Sequence, residues 1–147
     1  MVLCQYLNVN AQITYGAENE VIPQLNDTVK IFYASSQKIK SLKYRNSTLL
    51  TIVEFAENGN KSKVSVFPLN NLIYKTITKF NENGNISLIA NYYKGIVTGA
   101  FAKYYPNGKL LESGAYNQMK KEGEWNYFNE KGNLLKHELY KDGKLIE

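Results

Sequence analysis

At 147 residues, with 44% hydrophobic and 13% aromatic content and a formal net charge of +5, the chain has the length of one modest domain and too much apolar material to be wholly disordered. No apolar run approaches the roughly 20 residues that a membrane-spanning helix needs, so no transmembrane segment is expected. One histidine, one cysteine and two aspartates, Asp27 and Asp142, leave little from which to build a catalytic or metal-binding set. We therefore expect no enzyme activity, no catalytic residue, no cofactor and no metal.

Residues 1–12 lack the basic start and full apolar stretch of a secretory signal, yet Val9-Asn10-Ala11 has the small-residue character of a cleavage site. They read either as the remnant of a signal peptide or as an N-terminal extension with strand-like alternation. The first reading exports the rest to the periplasm or cell surface; the second leaves it cytoplasmic. Cys4, the single cysteine, cannot form an internal disulfide.

Beyond residue 50 one short phrase is written four times: Phe55-Ala56-Glu57-Asn58-Gly59, Phe80-Asn81-Glu82-Asn83-Gly84, Tyr104-Tyr105-Pro106-Asn107-Gly108 and Phe128-Asn129-Glu130-Lys131-Gly132. Its aromatic anchors lie 25, 24 and 24 residues apart, and self-similarity at such a period marks a small supersecondary unit copied and stacked. A worn earlier copy stands at Tyr33 to Ile39, with Gln37 in place of the glycine. Each clear unit carries an aliphatic residue two positions after the glycine, as in Ile86, Leu110 and Leu134, and an aromatic eight after it, as in Tyr92, Tyr116 and Tyr140. Further glycines, Gly99 and Gly123, open runs rich in strand formers and too short for useful helices.

The exceptions select the turn. A two-residue type I′ turn suits Asn107-Gly108 but suits Lys131-Gly132 badly, because both central residues need positive φ. A type I turn on Pro106-Asn107 or Glu130-Lys131, followed by a left-handed glycine in a G1 bulge, accepts all four copies. Gly59, Gly84, Gly108 and Gly132 are thus structural turn glycines. Hairpins this small share stability only side by side, and polar residues on both strand faces argue against a thick sandwich. The expected fold is all-β: antiparallel hairpins repeating about every 24 residues in an elongated, twisted, largely single-layer meander. Residues 13–147 form one repeat domain on this reading, with degenerate repeats over 30–75 and clear ones over 76–145.

The residues from Gly99 to Tyr116, and still more Gly123-Glu124-Trp125-Asn126-Tyr127-Phe128-Asn129-Glu130-Lys131-Gly132-Asn133-Leu134 with Tyr140-Lys141-Asp142-Gly143-Lys144-Leu145, resemble the MORN-repeat variant of bacterial antitoxin-component proteins of the YwqK type. The resemblance implies a meander of β-hairpins serving as an interaction surface, with no catalytic motif to carry over. One departure is Gln118-Met119-Lys120-Lys121, where a tyrosine-lysine-Asx-glycine turn is commoner; a longer or differently shaped loop is expected there.

Two functional readings follow. The favoured one is a non-catalytic protein–protein interaction module, of the antitoxin, immunity or envelope-scaffold kind, whose contact candidates are Phe101, Tyr105, Trp125 and Tyr127, since Trp and Tyr dominate interface hot spots. The same four side chains also read as staples between neighbouring hairpins. The alternative is an electrostatic binder of anionic lipid, glycan or nucleic acid through the basic 30–63 region, with Lys38, Lys40 and Lys43 as its candidates. A single arginine and the lack of any RNP-like motif weigh against dedicated nucleic-acid recognition.

Overall fold

The computed structural model describes residues 23–33, 36 and 38–147; the expectations for residues 1–12, for Cys4 and for the tip of the worn copy at residues 34, 35 and 37 lie outside them. The described chain is all-β and antiparallel, with no helix. It divides into two compact units, one ending at Leu72 and the other starting at Ile73.

The first unit contains β1 (Thr28–Phe32), β2 (Ile39–Arg45), β3 (Leu49–Phe55) and β4 (Lys61–Pro68), each hydrogen-bonded to its neighbour in sequence. Its buried residues lie on both faces of the sheet. Strand alternation and the register put Val29, Ser41, Lys43, Leu50 and Ser65 on one face, and Thr51 and Val53 on the other. Tyr33 donates its hydroxyl to the Phe55 carbonyl at 2.6 Å.

The second unit is a seven-stranded meander: β5 (Tyr74–Phe80), β6 (Ile86–Tyr93), β7 (Ile96–Tyr104), β8 (Leu110–Asn117), β9 (Lys120–Phe128), β10 (Leu134–Lys141) and the two-residue β11 (Lys144–Leu145). Every strand pairs with the next. Its two ends are built differently.

At one end stand the glycine tips that the repeat predicts. Gly84, Gly108 and Gly132 adopt φ of 81°, 84° and 89°, each donates its N–H to the residue three before it, and the strand register slips beside each tip. Gly59 of the first unit does the same at φ 90°. These are type I turns closed by a left-handed glycine bulge. An asparagine carboxamide fastens each loop: Asn81 accepts from the N–H groups of Asn83 and Asn85, and Asn129 from those of Lys131 and Asn133. The tips are also laced together, Asn81 and Asn85 donating to the Pro106 carbonyl and Asn107 to that of Glu130. Tyr105 donates to the Phe128 carbonyl at 2.9 Å, as Tyr33 does to Phe55 a few repeats earlier.

A side chain at these glycines has room: a Cβ on Gly132 would meet only Lys109 Cδ, at 3.7 Å. The cost lies in the backbone, since left-handed φ disfavours a β-branched residue by about 1–2 kcal/mol. Gly132→Val is expected to lower the unfolding free energy by that amount, read as a lower urea midpoint with no change in m.

At the other end the turns are two residues long and of type I′. Both central φ angles are positive at Lys94-Gly95 (49°, 81°), Gln118-Met119 (48°, 67°) and Asp142-Gly143 (49°, 81°). The expectation of a longer loop at 118–121 is therefore corrected: the loop is two residues, and Lys120 and Lys121 already belong to β9. Each short turn is tied to the chain segment that precedes its hairpin: Ile73 just ahead of β5, Val97 of β7 and Lys121 of β9. Lys94 N–H donates to the Ile73 carbonyl, Met119 N–H to Val97 and Gly143 N–H to Lys121, at 2.9–3.0 Å.

Candidate partner-binding surface

Strand alternation sorts the second unit into two faces with different tasks. On one face the register aligns Ile77, Ala90, Phe101 and Gly114 across β5–β8, and Trp125 of β9 faces Glu138 of β10. This face is the core. Trp125 is 0% accessible, and the second unit's described strands form one sheet.

Side chains of its own sheet do the covering. The indole lies against the Gly114 backbone, where a built Cβ would fall 2.7 Å from Trp125 Cγ and closer still to Cδ2 and Cε2. Phe101, Tyr116, Tyr127 and Tyr140 surround the ring at centroid distances of 5.7, 5.0, 6.4 and 6.5 Å; such pairs add roughly 0.5–1.5 kcal/mol each beyond area burial. Lys121 folds over the top, its ammonium 4.2 Å from the indole centroid and 5.0 Å from the rings of Tyr127 and Tyr140. Its Nζ donates to Tyr127 Oη at 2.6 Å, so the charge is satisfied by a hydroxyl as well as by the faces of the rings. Trp125 Nε1 donates to the Ala115 carbonyl at 3.1 Å.

A charged rim borders the cluster. Lys136 lies over the Tyr127 ring and pairs with Glu138 at 2.8 Å, and Tyr140 donates to the other carboxylate oxygen at 2.9 Å. Burial, then the neighbouring Glu138 carboxylate, push the Tyr127 phenol up; burial does the same to Tyr116. The Lys136 ammonium, helped by the Tyr127 and Tyr140 hydroxyls, holds Glu138 at about 2, below its ordinary 4.5. A depressed carboxylate pKa contributes stability that is complete above the ordinary value and lost as pH falls through the folded one. The unfolding midpoint should thus drop between about pH 4.5 and 2, and less steeply in Glu138→Gln, as urea titrations at several pH values would show.

Of the four contact candidates Trp125 is buried, while Phe101, Tyr105 and Tyr127 are half-buried and each makes a contact within the sheet. Trp125 has no surface to offer, Phe101 packs edge-on to Tyr116 at 5.2 Å, Tyr127 is held between Lys121 and Lys136, and Tyr105 is spent on the Phe128 carbonyl. The three lysines of the electrostatic alternative do not form one patch either. Lys43 is 4% accessible, Lys40 falls at the break in the β1–β2 register, and Lys38 donates to the Glu57 carbonyl at 2.8 Å.

The second unit exposes Leu134 and Leu135 beside the Gly132 tip and Leu145 and Ile146 near its last strand; another exposed apolar set lies at the short-turn end, on the face opposite Trp125. Tyr74 pairs with Tyr93, rings 4.6 Å apart, and Tyr93 pairs with Ile96. Tyr74 and Ile96 are 45% and 43% accessible, and Met119, in the adjoining turn, is 70% accessible. Ile73, also exposed, is fixed beside them by the bond from Lys94 N–H. Lys94 places its ammonium 5.4 Å from the Tyr93 centroid. Lys120, Lys141 and Lys144 share this face at the same end. Glu122 engages Lys141 at 2.6 Å and accepts the Asp142 N–H, which together hold its carboxyl below the usual range.

Sequence reasoning missed this surface because its residues fall in four different loops or strand ends and share no repeat position that stands out. The signal that could have found it is Met119, standing where the equivalent turns carry Gly95 and Gly143. No group of three or more His, Cys, Asp or Glu among the described residues is arranged to hold a metal ion, and no helix among them is long and apolar enough to cross a membrane. The chain matches no protein-family model and no curated protein.

Proposed function

We propose that the chain is a non-catalytic protein-interaction module, of the antitoxin, immunity or envelope-scaffold kind that its repeats resemble, and that it meets its partner through the short-turn end of the second unit. The observation that carries this reading is the exposure of Ile73, Tyr74, Ile96 and Met119 at one end of neighbouring strands, with Tyr93 between Tyr74 and Ile96 in the register and the Met119 N–H on the Val97 carbonyl. Exposed apolar residues scattered singly need no explanation, whereas a contiguous group with a charged border is the mark of a contact surface. In this reading the buried Trp125 cluster is the scaffold that holds the surface rigid, so little ordering entropy is lost on binding.

A photocrosslinking phenylalanine analogue placed at Met119, and at Asn107 in the glycine tips as a control, tests the reading in the cells from which the protein comes. Protein adducts at position 119 with none at 107 are the expected result. Adducts at 107 alone, or none at either, would remove it.

A further inference from the structure

Resting on that reading, we infer that the partner presents an acidic protein segment carrying apolar anchors, with its carboxylates on the lysines that border the short-turn end. The first argument is strain without internal return. The equivalent turns put glycine at φ 81° (Gly95 and Gly143), whereas Met119 adopts φ 67° with a full side chain. Left-handed backbone costs a non-glycine residue about 1 kcal/mol or more. Met119 gains no burial for it, since 70% of its surface is accessible. A long, polarizable apolar side chain held outward at the apex of a rigid turn suits contact with another molecule.

The second argument is charge. The glycine-tip end is balanced, with Glu82 and Glu130 against Lys109 and Lys131. The short-turn end carries Lys94, Lys120, Lys141 and Lys144 on the face of Tyr74 and Ile96; the acids there are Asp142, Glu122, already bound to Lys141, and Glu124 farther along β9. Lys94, Lys120 and Lys144 are exposed and share the face and end of the apolar groups, Lys94 over the Tyr93 ring, Lys120 next to Met119 and Lys144 two strands farther along the sheet. A wholly apolar partner would desolvate them without compensation, and a wholly acidic one would leave Tyr74, Ile96 and Met119 in water. A segment that alternates carboxylates with large apolar residues satisfies both.

The test is selection of phage-displayed random peptides on the full-length chain, followed by titration of the best synthetic peptide, with phosphatidylserine vesicles as a second probe. Selected peptides should be enriched in Asp and Glu around Leu, Ile, Phe or Trp. The combined variant Lys94→Glu, Lys120→Glu, Lys144→Glu should weaken the peptide about tenfold or more, while arginine at the same three positions should retain it. Met119→Gly should also weaken it, yet raise unfolding stability by about 1 kcal/mol through relief of the left-handed residue; that opposite movement is one that a merely structural role for Met119 would not produce. Peptides without acidic enrichment, failure to select any, undiminished affinity in the glutamate variant, or binding of the vesicles in place of acidic peptides would each overturn the proposal. Protein crosslinks at position 119 together with such a failure would leave the interaction module standing and remove only its acidic partner.

Discussion

Replacing Trp125 by alanine is expected to cost about 3–5 kcal/mol, the range for a fully buried indole, and so to take away a large share of the 5–15 kcal/mol typical of a domain. The magnitude follows from where the ring sits. Four aromatic rings and the Lys121 ammonium lie against it, so the change removes the centre of the cluster. The five neighbours would be left around a cavity open to water, and Lys121 would lose the surface that positions its charge. Urea unfolding should show the loss as a lowered midpoint or as no cooperative transition. A change under 1 kcal/mol would mean that the cluster is not the core of this unit.

The second large effect is expected from one methyl group. Gly114 has an ordinary backbone conformation, so its glycine is demanded by space alone: an alanine Cβ would run into Trp125 Cγ, Cδ2 and Cε2. Overpacking of this kind costs about 1–3 kcal/mol, and more here because the obstacle is a ring wedged on every side. The preceding repeat indicates the remedy. Twenty-four residues earlier, Ala90, which is 0% accessible, pairs with Phe101, so that repeat sets alanine under phenylalanine where this one sets glycine under tryptophan. Gly114→Ala combined with Trp125→Phe should therefore be less destabilised than the sum of the two single changes, a coupling of order 1 kcal/mol or more. Strict additivity would refute the pairing of the two positions.

Those two predictions also mark the limit of what the sequence discloses. The glycine tips were legible because left-handed φ restricts residue choice so strongly that turn and bulge type follow from four short phrases. The same rule misled at Gln118-Met119, where glycine's absence suggested another loop length although the strands on either side still impose a two-residue turn. The asparagines at 81 and 129 repeat with the tips, and their role in fastening them could have been read from that spacing. Gly114 was not visible as special, since its constraint comes from a ring eleven residues ahead on the next strand and not from local geometry. Trp125 read from the sequence either as a contact residue or as a staple between hairpins; its neighbours Phe101, Tyr116, Tyr127 and Tyr140 come from four strands, and no local pattern discloses that they and the Lys121 ammonium meet around it.

Because Trp125 is the only tryptophan, one measurement addresses the division between scaffold and surface directly: its fluorescence emission and acrylamide quenching in the native protein. The structure predicts blue-shifted emission that acrylamide barely reaches, shifting red and becoming quenchable only on unfolding. Red-shifted, freely quenched emission from the folded protein would place Trp125 on the surface, dissolve the core built around it, and return it to the contact residues from which its burial removes it.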